Sequence, residues 1–98
     1  MKTLDINARS WYDKVNGNSY FSAEIVLDYG TETERRYFLP FQYGYGDHYQ
    51  YETINELKRQ KEIDNKITML YQLRDEQNVI VRSSKIDTLK RNLKEENY

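Results

Sequence analysis

The feature that most constrains this chain is an Asn16-Gly17 pair between two segments in which apolar residues recur at every second position. A period of two is typical of a β-strand with one buried face. Asn-Gly is the preferred pair for a type I′ turn, because both of its positions need a positive φ. The sequence therefore predicts a hairpin whose core faces are Leu4, Ile6, Ala8, Ser10 and Tyr12 on one strand and Phe21, Ala23, Ile25 and Leu27 on the other.

A third strand is predicted over residues 35–42, after a turn at residues 29–33. Pro40 has no amide N–H to donate to a ladder, so we expect this strand to lie at the sheet edge or to end there. Three strands linked by hairpins make an antiparallel meander whose apolar face needs a cover. The residues expected on the core face of the third strand are Tyr37, Leu39 and Phe41.

The C-terminal half should supply that cover. A helix that begins near His48 would bury one face, and Ile63 falls on the opposite side, so we expect a break near Asp64. Asp64 would then cap a second helix. The predicted buried faces are Tyr51, Ile54 and Leu57 in the first helix and Ile67, Leu70, Tyr71 and Arg74 in the second.

The last part of the chain predicts one more strand and one more helix. Residues 78–81 form the only β-branched run in this half, which favours a fourth strand that joins the sheet. Ser84 and Asp87 have the spacing of a capping box. A short C-terminal helix would follow, with Ile86, Leu89 and Leu93 on one face. We therefore predict one α+β domain over residues 1–98, a three-stranded antiparallel meander plus the fourth strand, covered by one or two helices.

Composition excludes several kinds of site. The chain has no Cys, which excludes disulfides, thiolate zinc sites, iron–sulfur clusters and a cysteine nucleophile. Its single His excludes a two-His metal motif. We expect no cofactor. Ten Tyr are counted in the 38% hydrophobic fraction, so the core is small, and self-association or a partner would help to stabilise it.

Charge and hydropathy bear on partners and location. The net charge of −1 makes a nucleic-acid-binding domain a poor interpretation. The N-terminus has no apolar run of signal-peptide length, and no segment has the length of a membrane span. The expected location is the cytoplasm, with no membrane partner.

Residues 37–51 hold the densest group of aromatic residues, between the third predicted strand and the first predicted helix. Gly44 and Gly46 flank Tyr45 and allow the backbone to turn sharply. Asp47 stands where a helix N-cap is expected. We call residues 43–51 the tyrosine loop. Its candidate binding residues are Tyr43, Gly44, Tyr45, Gly46, Asp47, His48, Tyr49 and Tyr51.

Two interpretations of the tyrosine loop stay open. In the first, its four tyrosines line a concave lip, and Asp47 and His48 add polar contacts. Tyrosine offers a flat ring and a hydroxyl at small entropic cost, which suits a protein interface or a stacked base. In the second, the glycines form only a tight corner, Asp47 caps the helix, and the tyrosines cover the sheet.

A phosphate cradle and a catalytic site are weaker interpretations of the same loop. The spacing G-x-x-x-x-G-K-[ST] is missing, and Asp47 would repel a phosphate. Asp47 and His48 are neighbours in sequence and seldom face one another, and no motif places a nucleophile. We therefore predict that the protein is not an enzyme.

Two other features admit both a binding and a structural explanation. Trp11 alternates with the buried face of the first strand, so it is either an exposed interface anchor or a ring that packs over the far side of the sheet. Residues 82–94 carry five basic side chains against Asp87. We interpret this charge as a solvated helix face.

Two segments of the sequence resemble those of a known set of proteins. NGNSYFSAEIVLD begins at Asn16, and PFQYGYGDHY begins at Pro40. Together they resemble a set of small bacteriophage proteins of unknown function, in which an N-G-N-[ST]-Y hairpin leads to a [VL]-P-F-x-Y-G-Y-G-D motif and a helix. The resemblance covers roughly residues 9–55 and lapses in the tail. It is carried by Asn16, Gly17, Asn18, Tyr20, Pro40, Phe41, Tyr43, Gly44, Tyr45, Gly46 and Asp47.

The resemblance implies a phage or prophage origin. By analogy with phage proteins of this size, we expect a small accessory protein that binds and inhibits a bacterial host protein in the host cytoplasm, such as a defence protein of the CRISPR type. The alternative is a small-ligand binder that sequesters a nucleotide. In that case the tyrosines would stack on the base, and Arg35, Arg36 or His48 would meet the phosphate. A homo-oligomer is compatible with either function.

Overall fold

A four-stranded mixed sheet with two helices forms the framework of this protein. The computed structural model describes residues 1–88. The strands lie in the order β3-β2-β1-β4, with β4 parallel to β1 and the other pairs antiparallel. The predicted α+β class is confirmed. The elements are β1 (Thr3–Asp13), β2 (Asn18–Leu27), β3 (Arg35–Tyr43), α1 (His48–Arg59), α2 (Leu70–Glu76) and β4 (Ile80–Asp87).

One face of the sheet, the inner face, packs against the helices. The alternation in β1 and β2 places their apolar residues here, and Ile6 pairs directly with Ile25. The helices add Ile54 and Leu57 from α1 and Leu73 from α2. The expectation that Tyr71 and Arg74 lie on the buried face of the second helix was wrong, because both are exposed and Leu73 faces the core. These residues form one buried cluster, whose strand members include Leu4, Ile6, Ala8, Phe21, Ala23, Ile25, Leu27 and Leu39.

The opposite, outer face carries ion pairs and aromatic rings. Arg82 of β4 binds Asp5 of β1, with Nε 2.6 Å from Oδ1. The ring of Trp11 stacks on Tyr20 of β2, with 5.7 Å between the ring centroids. The structure agrees with the second interpretation of Trp11, in which the ring packs over the far side of the sheet.

A bulge at Pro40 turns Phe41 to the outer face. Leu39 pairs with Ala23 and Gln42 pairs with Phe21, so the two residues between them on β3 face Ser22 alone. An extra residue reverses the alternation beyond it. Phe41 therefore stacks on Tyr20, with 5.1 Å between the ring centroids. The expectation that Phe41 shares the core face was wrong, whereas the prediction that Pro40 lies in an edge strand is confirmed.

The loop between β1 and β2 is longer than predicted. Asp13 pairs with Asn18, so four residues connect the strands, and of these only Gly17 has a positive φ, 72°. The Asp13 carboxylate accepts hydrogen bonds from the backbone N–H groups of Val15 (2.9 Å) and Asn16 (3.3 Å). This bonding favours a wider turn, so the predicted two-residue type I′ turn was wrong.

The helix termini agree with the sequence only in part. α1 begins at His48 as predicted but ends at Arg59, before Asp64. α2 begins at Leu70, and the Gln72 side chain accepts the backbone N–H of Met69 at 2.9 Å. The expectation that Asp64 caps α2 was wrong, because its carboxylate accepts the backbone N–H of Lys66 at 2.8 Å. No helix within residues 1–88 is long and apolar enough to cross a membrane.

The fourth strand is longer than its β-branched run. β4 extends from Ile80 to Asp87 because β1 offers a full-length partner, and Ser10 Oγ donates to Asp87 Oδ1 at 2.8 Å near its end. Ser84 and Asp87 therefore lie in a strand, and the predicted capping box was wrong. Ile86 is also in this strand. Leu89 and Leu93 of the predicted terminal helix lie outside the described residues.

Candidate functional site

The tyrosine loop forms the corner between β3 and α1, and hydrogen bonds hold its backbone on two sides. The backbone N–H of Gly44 donates to the Ser19 carbonyl of β2 at 2.9 Å. On the other side, Lys85 Nζ of β4 donates to the Gly46 carbonyl at 3.0 Å. The loop is thus tied to two strands that lie on either side of β1.

Gly44 allows a close approach of the backbone to two rings. A Cβ atom at this position would lie 2.6 Å from His48 Cδ2 and 2.7 Å from Phe21 Cε1. Gly46 meets a different requirement, because its φ is +60° and nothing lies within 4 Å of the place of a Cβ. The two glycines therefore make the corner possible for steric and conformational reasons respectively.

Three tyrosines of the loop are exposed around one open concavity. The exposed fractions are 59% for Tyr43, 74% for Tyr45 and 52% for Tyr51. The concavity has a volume of about 350 Å³. We call it the loop concavity. It brings together seven of the eight predicted site residues, namely Tyr43, Gly44, Tyr45, Gly46, Asp47, His48 and Tyr51.

Tyr49 does not line the loop concavity. It is 5% exposed and belongs to the core cluster, and its hydroxyl accepts a hydrogen bond from Gln50 Nε2 at 3.2 Å. The helical period explains its position, because Tyr49 and Thr53 are four residues apart and are buried on the same face. The expectation that Tyr51 is buried with Ile54 and Leu57 was wrong, because Tyr51 is 52% exposed and Tyr49 takes the core position.

Asp47 and His48 give the concavity its polar groups. Asp47 stands at the N-cap position of α1, but its side chain makes no capping hydrogen bond, so this part of the prediction was wrong. The carboxylate is exposed and adds a negative charge to the concavity. His48 Nε2 lies 3.6 Å from Glu52 Oε1, and its ring meets Phe21 edge to face. Protonation of His48 would make an i, i+4 ion pair with Glu52.

A second cavity, of about 190 Å³, lies between α1 and the start of α2. It shares Asp47 and Tyr51 with the loop concavity, and its apolar lining comes from Ile54, Met69 and Leu70. Sequence reasoning missed Met69 and Leu70 as site residues. Only the return of the chain over residues 60–69 brings them beside Tyr51.

The two arginines expected to meet a phosphate lie at the far end of β3. Arg35 pairs with Leu27, whereas Tyr43 pairs with Tyr20, so the length of β3, roughly 25 Å, separates them. Both arginines are also engaged in ion pairs. Arg35 Nε lies 2.6 Å from Glu62 Oε2, and Arg36 Nη1 lies 2.9 Å from Glu24 Oε2.

Asp28 is the centre of a polar cluster at this far end. Its carboxylate accepts the backbone N–H groups of Lys2 and Thr3 and the hydroxyl of Thr33. The Lys2 hydrogen bond is the largest cause that lowers the pKa of Asp28 to about 2, while burial opposes it. Asp28 also lies 3.5 Å from Arg35 Nη1, which links it to Glu62 of the segment after α1.

Glu62 completes the cluster. Burial raises its pKa, but hydrogen bonds from Arg35 and from the Tyr37 hydroxyl outweigh that effect, so the pKa lies below its usual range. Every charged group here has a partner of opposite charge. The arrangement fastens the N-terminus, β3 and the end of α1 together.

The basic residues of the tail do not form the predicted helix face. Arg82 and Lys85 are strand residues, bound to Asp5 and to the Gly46 carbonyl. Lys90, Arg91 and Lys94 lie outside the described residues. Within residues 1–88, no group of three or more His, Cys, Asp or Glu side chains is placed to hold a metal ion.

Comparison of the chain with protein-family models, curated proteins and solved structures found no match. The chemistry of its own exposed side chains is therefore the basis for a function.

Proposed function

We propose that this protein binds a bacterial protein through the tyrosine loop and inhibits it. The observation that carries the proposal is the convergence of three exposed tyrosines, Tyr43, Tyr45 and Tyr51, on one open concavity. Tyrosine is enriched at protein interfaces, because it contributes a large contact area and a hydroxyl with few rotatable bonds. The phage-like motif supports a bacterial partner in the host cytoplasm, such as a defence protein.

The anchored backbone of the loop supports this proposal. Hydrogen bonds at Gly44 and Gly46 hold the corner to β2 and β4 before any partner arrives. Binding then costs less ordering entropy than it would at an untethered loop. The neighbouring cavity at Ile54 and Met69 offers space for an apolar side chain of the partner.

Nucleotide binding fits the same surface less well. Arg35 and Arg36 are held in ion pairs at the other end of β3. The exposed charge in the concavity is the carboxylate of Asp47, which repels phosphate. A base could still stack on the tyrosines, so the test includes this outcome.

The test uses a photo-cross-linking amino acid at position 45 in bacterial lysates from several hosts. We expect a discrete protein adduct at position 45 and none at position 29, where the wild-type Tyr29 is equally an exposed tyrosine but lies outside the loop. The double variant Tyr45→Ala, Tyr51→Ala should lose the captured protein. The matched double variant Tyr29→Ala, Tyr71→Ala should retain it.

Two outcomes would contradict the proposal. One is the absence of a position-specific adduct in all hosts. The other is the release of a nucleotide from the purified protein on heating, with a thermal shift that Tyr45→Ala abolishes. The second result would favour the sequestration of a nucleotide instead.

A further inference from the structure

The outer edge of β4 presents backbone groups that no strand among residues 1–88 uses. The N–H of Ile80 donates to the Lys2 carbonyl at 3.0 Å, and the N–H of Thr88 donates to the Ser10 carbonyl at 2.7 Å. Successive residues of a strand point their backbone groups in opposite directions. The even-numbered residues of β4 therefore bond to β1. The odd-numbered residues that face the outer edge are Val81, Ser83, Lys85 and Asp87.

The two edges of the sheet differ in protection. β3 carries Pro40 and a bulge, both of which discourage the addition of another strand. β4 carries neither and is exposed on both faces apart from Val81. Two isoleucines lie on its outer face, Ile80 with 59% and Ile86 with 58% of their surface exposed. A strand edge that has neither a proline nor a bulge within residues 80–87 and carries exposed β-branched residues is suited to strand pairing.

We propose that β4 pairs antiparallel with β4 of a second copy of this chain, in a two-fold symmetric dimer with one continuous sheet. This proposal goes beyond the function proposed above and does not depend on it. A second copy is favoured over an unrelated strand because one register of β4 with itself pairs its exposed isoleucines and puts no like charges opposite each other.

Hydrogen bonding and charge select that register. Odd-numbered residues must face odd-numbered residues, so a two-fold axis passes through a residue of β4 and not between two residues. An axis at Arg82 or at Lys85 would place like charges directly opposite each other, which destabilises the pair. An axis at Ser84 would put Ile86 opposite Arg82 and Val81 opposite Asp87. A two-fold axis nearer to either end of β4 would pair fewer of its residues.

An axis at Ser83 puts no like charges opposite each other and leaves a single apolar–charged pair, Val81 opposite Lys85. Ile80 of each copy then lies opposite Ile86 of the second copy, and Arg82 lies opposite Ser84. The Ile pairs fall at positions without hydrogen bonds, where the side chains of an antiparallel pair come closest. Both exposed isoleucines are buried in this way at the two ends of the interface.

The first test is the mass of the protein by sedimentation. The wild type should be a dimer at micromolar concentrations, and Ser83→Pro should be a monomer with an unchanged far-UV spectrum, because the Ser83 N–H takes no part in the ladder with β1. A wild type that stays monomeric, or a Ser83→Pro variant that remains a dimer, would overturn the proposal. Tyr45→Ala should leave the mass unchanged, which separates this test from that of the loop.

Single engineered cysteines test the register directly, because the chain has no Cys of its own that could form other disulfides. In the proposed register, two Ser83→Cys residues face each other with Cα atoms about 5.5 Å apart, within the range of a disulfide. Two Ser84→Cys residues are offset along the strands to more than about 7 Å. Oxidation should therefore cross-link the first variant and not the second. The reverse result would overturn the proposal.

Two double variants at Ile80 and Ile86 distinguish the loss of strand pairing from a general effect on folding. Ile80→Lys combined with Ile86→Lys places like charges opposite each other in both Ile pairs, so the dimer should dissociate. Ile80→Lys combined with Ile86→Glu creates two opposite-charge pairs, so the dimer should return. Equal masses for the two double variants would contradict the pairing of Ile80 with Ile86.

Discussion

Gly44 and Gly46 constrain the tyrosine loop for different reasons, and alanine at each position tests a different cause. Gly46→Ala has to adopt a φ of +60° and should lower the free energy of unfolding by about 1 kcal/mol. Gly44→Ala should cost more, about 1–3 kcal/mol, because its Cβ would collide with Phe21 and His48. Thermal melts give both values, at roughly 4–8 °C per kcal/mol.

Gly30→Ala is the matched control for these two substitutions. Its φ is +78° and nothing lies within 4 Å of a Cβ, so it should behave like Gly46→Ala. A Gly44→Ala protein that melts with the other two would show that Phe21 and His48 move aside without cost.

The two neighbouring tyrosines of the loop should separate stability from binding. Tyr45→Ala removes an exposed ring and should change the free energy of unfolding by no more than about 0.5 kcal/mol. Tyr49→Ala removes a core ring and should cost about 3 kcal/mol or more. Chemical denaturation measures both. A Tyr45→Ala protein that unfolds as easily as Tyr49→Ala would place Tyr45 in the core and remove the central residue of the proposed interface.

At the level of elements, the β1–β2 loop depends on one side chain. Asp13→Ala removes the acceptor of the Val15 and Asn16 amides and should cost about 1 kcal/mol. Lys14→Ala, in the same loop, is the control and should have a smaller effect. Melting curves of the two variants test this, and a larger loss for Lys14→Ala would contradict it.

The elements that sequence reasoning predicted are those with a strict local period. β1 and β2 alternate over most of their length, so the buried residues Leu4, Ile6 and Ala8 of β1 were predicted correctly, as were Phe21, Ala23, Ile25 and Leu27 of β2. The expectation that Tyr12 shares the core face was wrong, because its side chain is 56% exposed near the end of β1. The bulge at Pro40 adds one residue to β3. The alternation could not be followed past this extra residue, because only the pairing of β3 with Ser22 reveals it. The extent of β4 depends on the length of its partner β1, which local residues do not encode.

The candidate site likewise has a part that the sequence predicted and a part that it did not. Gly44, Gly46 and Asp47 mark a corner through local turn chemistry, and the structure has a corner there. The assignment of Tyr49 and Tyr51 to faces of α1 depends on where the sheet lies relative to that helix. Met69 and Leu70 reach the site only through the packing of a distant segment.

At the scale of the whole molecule, the two ends of the sheet differ in chemistry. One end carries the loop concavity with its exposed rings. The other end carries the partly buried cluster of Asp28, Arg35 and Glu62, in which charges are paired and hydrogen-bonded. Such a cluster couples the packing of the N-terminus, β3 and the segment after α1, because removal of one partner leaves a partly buried charge without its ion pair.

This coupling predicts a stability that falls in acid. The pKa of Asp28 is about 2 in the folded protein, below its ordinary value of 3.8. A lowered carboxyl pKa stabilises the fold above the unfolded value, and this stabilisation is lost as the pH falls from about 4 towards 2. Its size is on the order of 2–3 kcal/mol, since the pKa falls from 3.8 to about 2 and one pKa unit corresponds to about 1.4 kcal/mol.

Asp28→Asn tests the origin of that acid sensitivity. The variant should be less stable than the wild type at pH 7, and its melting temperature should fall less between pH 5 and pH 2, because the titrating group has been removed. Thr33→Val deletes one of the hydrogen bonds to the carboxylate and should reduce the pH dependence by a smaller amount. Melting curves measured across this pH range test the expectations for both variants. Parallel curves for the wild type and Asp28→Asn would show that acid unfolds the protein through other carboxylates.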